Sequence, residues 1–230
     1  MVFPLPDLTE KEVFDSVDLR YASGYDNQTR KISCRDQWRQ TRDNWFFIGQ
    51  FIWTAFDYLG ESWGWPARTN NFGIIDMADF PKDHYYLYQS FWSDKPMVHL
   101  LPHWTHPGKE GVEIPVVVYT NCDEAELFLD GKSLGRKPMD KDVLQIVWNV
   151  AFTPGTLTAV AYKDGKKAAE KSISTASDPY RIKLTVNRTE AQANRRDVIY
   201  VETDIVDKAG NLVPDAADTV SFTISGPYRL

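Results

Sequence analysis

Asp57 and Glu61 are the carboxylates in this chain best placed to do chemistry, because Trp53 and Tyr58 stand beside them at the end of one apolar run. That run reads Gly49-Gln50-Phe51-Ile52-Trp53-Thr54-Ala55-Phe56-Asp57-Tyr58-Leu59-Gly60-Glu61. Carboxylates can exchange protons or accept hydrogen bonds from hydroxyl groups, and an indole offers a flat apolar surface. A stretch apolar at every position, rather than at every second one, reads as a strand covered on both faces, the habit of parallel sheets and barrels. In barrels of alternating strands and helices the C-terminal strand ends carry the active site. The alternative is an ordinary core strand followed by a polar loop, with Asp57 and Glu61 as salt-bridged loop carboxylates.

The elements that must position these residues can be sketched from the pattern. Residues 1–27 are irregular and read as a long loop, with Pro4 and Pro6 near its start. A helix is expected over residues 35–44, with Ser33 as N-cap and Asp36 in the first turn. Its Trp38 shares a face with Thr41 or Arg42. The apolar strand is expected over 46–54. A loop rich in Trp, Pro and Asn covers 62–71, residues 72–75 form a brief apolar segment, and Pro81 opens a helix running to Trp92. Within that helix Tyr85, Tyr88 and Trp92 recur at helical spacing, the mark of a stripe packed on a core.

The 230 residues are of ordinary globular composition, 43% hydrophobic and 25% charged. The net charge of −6 is spread without a Lys/Arg cluster, so neither nucleic acid nor an anionic membrane is implied as a partner. No stretch approaches the roughly 20 apolar residues of a membrane span. Charged residues from Asp7 to Arg20 interrupt any signal-peptide core, so either the protein is cytoplasmic or its true N-terminus lies further upstream. Aromatic residues make up 13%, with 8 Trp, which is compatible with stacking on sugar rings and equally with core filling. Cys34 and Cys122 lie far apart, outside any disulfide or zinc pattern. His99, His103 and His106 read as exposed, solvated loop residues near Pro102 and Pro107, not as a metal site. No cofactor is implied.

Beyond Pro96 the texture changes to short β-branched and aromatic strands at 114–120, 124–129, 143–150 and 156–162. Asp130-Gly131 and Asp164-Gly165 are hairpin signals, because type I′ turns need positive φ. This is the pattern of a small antiparallel sandwich. After Asp178-Pro179, alternating residues at 182–186 and 220–224 and a longer strand at 198–206 start a second one, too short to complete the roughly seven strands of an immunoglobulin-like module.

The Gly49–Glu61 run resembles the last barrel strand of family 2 glycoside hydrolases in the β-galactosidase group. The block Asn71-Phe72-Gly73-Ile74-Ile75-Asp76-Met77-Ala78-Asp79-Phe80-Pro81-Lys82-Asp83-His84-Tyr85-Tyr86-Leu87-Tyr88-Gln89-Ser90-Phe91-Trp92 is similar to the segment that follows it there. Two departures are Ala55 and Asp79, each where Gly is usual. The stretches from Tyr119 to Gly135 and from Tyr162 to Gly165 resemble the immunoglobulin-like module after the barrel. The resemblance implies a mixed fold: the C-terminal portion of a (β/α)8 barrel over 1–94, an immunoglobulin-like sandwich over 95–176, and a partial second module over 177–230. It implies a retaining hydrolase of β-linked sugars whose two catalytic Glu residues both lie upstream of this chain, so that the chain alone is inactive. Trp53 resembles the Trp lining the terminal sugar subsite. Asp57 and Glu61 would accept hydrogen bonds from sugar hydroxyls or orient neighbours, and Asn71 and Phe72 resemble the loop reaching the same pocket. The partners implied are a β-galactoside-like carbohydrate, the upstream part of the same enzyme, and another copy of the chain in a homo-oligomer. The location implied by the family alone is periplasmic or extracytoplasmic. A different reading is a non-catalytic carbohydrate-binding or structural β-sandwich protein with the first ninety or so residues as an appended arm.

Overall fold

The computed structural model describes residues 34–60, 69–70, 72–194 and 196–226. Ser33, Glu61, Asn71 and the expected loop over 1–27 lie outside the described residues. The elements in chain order are α1 (Cys34–Asp43), β1 (Tyr58–Leu59), β2 (Thr69–Asn70), α2 (Asp83–Trp92), β3 (Val98–Leu101), β4 (Glu113–Thr120), β5 (Glu124–Leu129), β6 (Lys132–Pro138), β7 (Ile146–Ala151), β8 (Thr156–Lys163), β9 (Lys166–Ser174), β10 (Arg181–Val186) and β11 (Val201–Val206).

Two antiparallel sheets, β3-β4-β7 and β6-β5-β8-β9, form a sandwich. Strand β4 explains the layering. Its sequence Glu-Ile-Pro-Val-Val-Val-Tyr-Thr is apolar through successive positions, and every residue after Glu113 is buried. Ile114, Val116 and Val118 point between the sheets and meet Ala125, Leu127, Leu157 and Ala159 from the facing sheet. Their cross-strand partners are Val150, Trp148 and Ile146, in the same core. The alternate residues, Val117 and Tyr119, point outward and join Leu101, Leu87, Tyr88 and Cys34 in a second core. Helices α1 and α2 therefore cover the outer face of the three-stranded sheet. A strand alternates its side chains between faces, so an unbroken apolar run needs cover on both, which this sheet has without being parallel.

Both hairpin signals are realised. Asp130 and Gly131 have φ of 49° and 77°, and Asp164 and Gly165 have 51° and 73°, the paired positive φ of a type I′ turn. The sequence pattern misses β3, β6 and β9. Strands β6 and β9 are sheet edges rich in Lys, Ser and Gly, where exposure removes the apolar alternation and charge blocks further pairing.

The strand expected at 143–150 begins at Ile146 instead. Asp140 Oδ1 accepts the amide of Asp142 at 2.7 Å and that of Val143 at 3.3 Å, which turns the chain. The carbonyls of that turn are then claimed by one face of α1. Arg35 donates to Val143 O at 2.9 Å, Arg39 to Asp142 O at 2.7 Å, and Arg42 to Lys141 O. The three guanidinium groups stand one helical turn apart and read successive carbonyls of the opposing loop in reverse order, a ladder that fastens α1 to the sandwich. Arg35 is the buried rung, at 8% exposure. Arg35→Ala is expected to lower the unfolding free energy by about 2 kcal/mol, the scale of a hydrogen bond from a charged group, in urea denaturation. A loss below about 0.5 kcal/mol would remove the ladder from the list of what holds α1 in place.

The apolar run at 46–54 departs most from expectation. It forms no strand, and the described residues form no closed barrel. Ile48 and Phe51 are fully exposed, and Trp45 is 93% exposed. A strand apolar on both faces holds only if neighbours hydrogen-bond its edges and cover its faces. Among the described residues such a neighbour appears only from Thr54 onward, where residues 54–57 run parallel to 72–75.

At the C-terminal end, β10 and β11 pair antiparallel as a two-stranded sheet, and Val206 bridges Leu212. The strand expected from Val198 starts at Val201, and residues 220–224 join no ladder. Ile182, Leu184 and Val186 remain exposed, so no second layer covers them among the described residues.

Candidate functional site

Thr54 N donates to Phe72 O at 3.4 Å, Ile74 N to Thr54 O at 3.2 Å, Ile75 N to Ala55 O at 2.9 Å, and Asp57 N to Ile75 O at 2.9 Å. This short parallel ladder brings Phe72 onto a segment adjoining the one that bears Trp53 and Asp57. The Trp53 indole is 72% exposed, and its Nε1 donates to the Tyr58 hydroxyl at 3.2 Å. The Trp53–Thr54 peptide bond is cis.

Asp57 is held from two sides. Its Oδ1 accepts the Gly73 amide at 2.8 Å and the Lys82 ammonium at 2.7 Å. Lys82 N in turn donates to Ile74 O at 2.9 Å, just ahead of α2. Gly73 is required there by contact: a Cβ would lie 2.2 Å from Asp57 N and 2.3 Å from the Phe56 carbonyl carbon. The turn that follows is closed by Asp79 N to Asp76 O at 3.2 Å, with Asp76 Oδ1 accepting the amides of Ala78 and Phe80 at 2.8 and 2.9 Å. Asp79 adopts φ 71°, the conformation that the usual glycine would supply, and one that aspartate tolerates better than most residues.

Sequence reading missed Lys82 and underused Gly73. A glycine just before an apolar segment is a fair signal of close backbone approach. A lysine between Pro81 and Asp83 gives none.

The histidines are not solvated loop residues. His99 lies on β3, its Nε2 is 2.7 Å from Asp83 Oδ1, and its ring stacks on Tyr86 at 3.9 Å. The ring of His103 lies 4.5 Å from that of His106, which is buried beside Trp104 and Phe152. The loop lies over the core rather than in solvent, with Trp104 in the core and Thr105 and His106 buried beside it. Burial lowers the His103 pKa and, with His103 beside it, pushes that of His106 down to about 4. His84, in the first turn of α2, is pushed down to about 3 by burial and by Lys82. Among the described residues no group of side chains could hold a metal ion.

Residues 182–230 match the glycoside hydrolase family 2 C-terminal domain 5, and residues 111–169 match a domain family of unknown function, DUF4982. A β-galactosidase of Bacteroides ovatus is 44% identical over 98% of this chain and 27% of its own length. The chain belongs to glycoside hydrolase family 2. The family resemblance carried by the Gly49–Glu61 and Asn71–Trp92 blocks is thereby confirmed. The family 2 chain also superposes on a β-glycosidase from Bacteroides vulgatus with a TM-score of 0.82 at 50% identity, over 93% of this chain and 28% of the other. A β-glucuronidase of Formosa agariphila is 28% identical over 67% of the chain and 16% of its own length. The family 2 chain spans about a quarter of the length of curated relatives that it matches, 27% and 24% for two of them.

Proposed function

We propose that this chain is the C-terminal part of a retaining glycoside hydrolase acting on β-linked sugars, most like a β-galactosidase, with both catalytic glutamates supplied by the upstream part of the same enzyme. The observation that carries the reading is the 44% identity to a β-galactosidase across 98% of the chain. In it, residues 1–94 are the end of a (β/α)8 barrel, 95–176 a sandwich module and 177–230 the start of another. Trp53, Asp57, Glu61, Asn71 and Phe72 form the floor and rim of the terminal sugar subsite. Retaining hydrolysis needs two carboxyl groups about 5 to 5.5 Å apart, which come from other barrel strands. An exposed indole at Trp53 suits a sugar's C–H face and would keep water from a developing oxocarbenium ion. The exposed Trp45, Phe46, Phe47, Ile48 and Phe51 would then be covered by the neighbouring barrel strand and helix of the upstream part.

The identity to a β-glucuronidase makes β-glucuronides the second substrate class. The assay uses nitrophenyl β-galactoside and β-glucuronide, with the chain alone and with the co-expressed upstream part. Turnover of the galactoside only by the combination is expected. Turnover by the chain alone would return catalysis to Asp57 and Glu61.

A mutational check separates the subsite from the core. Trp53 is exposed, whereas Trp148 is 3% exposed between the two sheets. Trp53→Ala in the complete enzyme is expected to raise KM by about tenfold, the loss of roughly 1.4 kcal/mol of stacking and burial, with little change in melting temperature. Trp148→Phe should do the reverse. Equal KM effects would contradict the assignment of Trp53.

A further inference from the structure

Asp57 stands in the Trp-Thr-x-Phe-Asp-Tyr run as a residue that either meets the sugar or orients its neighbours, and its surroundings favour the second role. The side chain is 11% exposed and Lys82 is 18% exposed, so this is a largely desolvated pair. One oxygen, Oδ1, serves three chain segments at once: its own, residues 72–75 through the Gly73 amide, and the start of α2 through the Lys82 ammonium. Those segments are further tied by Lys82 N to Ile74 O and by Asp57 N to Ile75 O. The missing Cβ of Gly73 lets the loop backbone touch the 56–57 peptide.

We infer that Lys82 and Gly73 act through Asp57 as a brace that fixes the segment bearing Phe72 against the segment bearing Trp53, which makes Asp57 and Lys82 positioning residues of the sugar subsite. This rests on the sugar-subsite reading above. The chemistry is that of a charge-assisted hydrogen bond in a partly buried setting, where geometry is held more firmly than in water. Removing the ammonium takes away one of the two donors that fix Asp57 Oδ1, so the oxygen that holds the Gly73 amide is free to move and the loop before Ile74 loosens with it. Because the brace acts before substrate arrives, its loss weakens ground-state and transition-state binding together, so KM rises while kcat holds.

The test uses the complete enzyme with Lys82→Met, Lys82→Arg, Asp57→Asn and the double variant Asp57→Asn/Lys82→Met. Two readouts are taken, amide exchange over residues 72–76 and steady-state kinetics on a nitrophenyl β-galactoside. Lys82→Met is expected to speed exchange of the Gly73 amide at least tenfold and to raise KM about tenfold with kcat within about twofold. Lys82→Arg, which keeps the charge, should recover most of both. Asp57→Asn keeps an oxygen for the Gly73 amide and should show the KM effect with a smaller change in exchange, and it carries the test if Lys82→Met does not fold. The double variant should be no worse than the worse single, as for residues acting as one unit. Unchanged exchange at Gly73 in Lys82→Met overturns the brace. So does a raised KM in Asp57→Asn with an unchanged KM in Lys82→Met, since Asp57 would then be meeting the sugar directly. If exchange quickens in Lys82→Met while KM is unmoved in every variant, Trp53→Ala included, the brace stands and the sugar-subsite reading falls.

Discussion

Trp104→Ala should cost the sandwich about 4 kcal/mol of stability. Trp104 is completely buried, and its ring meets Phe152 at 5.1 Å and His106 at 6.0 Å, both edge-to-face. Its Nε1 donates to Thr153 O at 3.0 Å, so removal also deletes a hydrogen bond. The backbone at this point also anchors the chain leaving the sandwich. Trp104 O accepts the Thr175 hydroxyl at 2.5 Å, and Thr105 Oγ1 accepts the Ala176 amide at 2.9 Å. Ser177 N then donates to Asp207 Oδ2 at 3.0 Å, and that buried carboxylate also takes the Asn211 amide at 2.8 Å. A cavity at Trp104 thus loosens the seat on which β10 and β11 rest, as well as the core between the sheets. Urea denaturation of the chain is the check. A loss below about 2 kcal/mol would mean that the surrounding loop collapses into the cavity. Trp104→Phe, which fills much of the volume without the hydrogen bond, should fall between.

The value of Trp104 was not legible in its sequence surroundings, Leu-Pro-His-Trp-Thr-His-Pro, which read as an exposed loop. Proline and histidine punctuation describes local backbone, whereas burial here comes from strands that arrive later in the chain. The hairpins were legible because Asp-Gly in a type I′ turn is a local backbone requirement that no tertiary contact needs to enforce. Strand β4 and the run at 46–54 make the opposite point. Both are apolar stretches with the same signal, yet one is buried on both faces and the other is mostly exposed, with Ile52 alone of its large apolar residues packed against the second core. The pattern states what cover a strand needs, and whether the cover exists depends on partners elsewhere. Helix α2 shows a smaller version. The stripe Tyr85, Tyr88 and Trp92 was expected to face the core, but the buried face carries His84, Leu87 and Tyr88, and Trp92 is 51% exposed against Trp38. Aromatic spacing alone could not choose between two adjacent faces when Leu87 competes for the same core. At the candidate site, the identities of Trp53 and Asp57 could be read, but the Lys82 partnership could not. It depends on the 72–82 segment folding back over residues 54–57, which no local periodicity encodes.

Acid should destabilise this chain well before its carboxylates are protonated, and His84 should be the main cause. His84 is 1% exposed, neither ring nitrogen has a hydrogen-bond partner among the described residues, and burial with the Lys82 charge holds its pKa down to about 3. The position also disfavours a cation, because the first turn of α2 presents the positive end of the helix dipole. In the unfolded chain the same imidazole titrates near 6.5, so above that pH both states hold it neutral and stability is flat. Below it the unfolded state binds a proton that the folded state refuses, and stability falls by about 1.4 kcal/mol per pH unit until the folded group titrates near pH 3. Between pH 7 and pH 5 the loss from His84 is about 2 kcal/mol. His106, held down to about 4 by burial and by the neighbouring His103 and Lys109, with Asp215 opposing them, adds a loss of the same sign over the same window. Asp207 does not confuse the measurement. Its pKa is lowered to about 2 by the Ser177 and Asn211 amides, so its contribution is intact above the ordinary carboxylate value and fades only as pH drops toward 2. Urea midpoints at pH 7, 6 and 5 should therefore fall steadily in the parent chain. In His84→Leu, which keeps the volume and removes the titration, the fall should shrink by more than half. A pH dependence identical in the two proteins would show that His84 takes up its proton equally well in the folded and unfolded chain, and would overturn its assignment as the main cause.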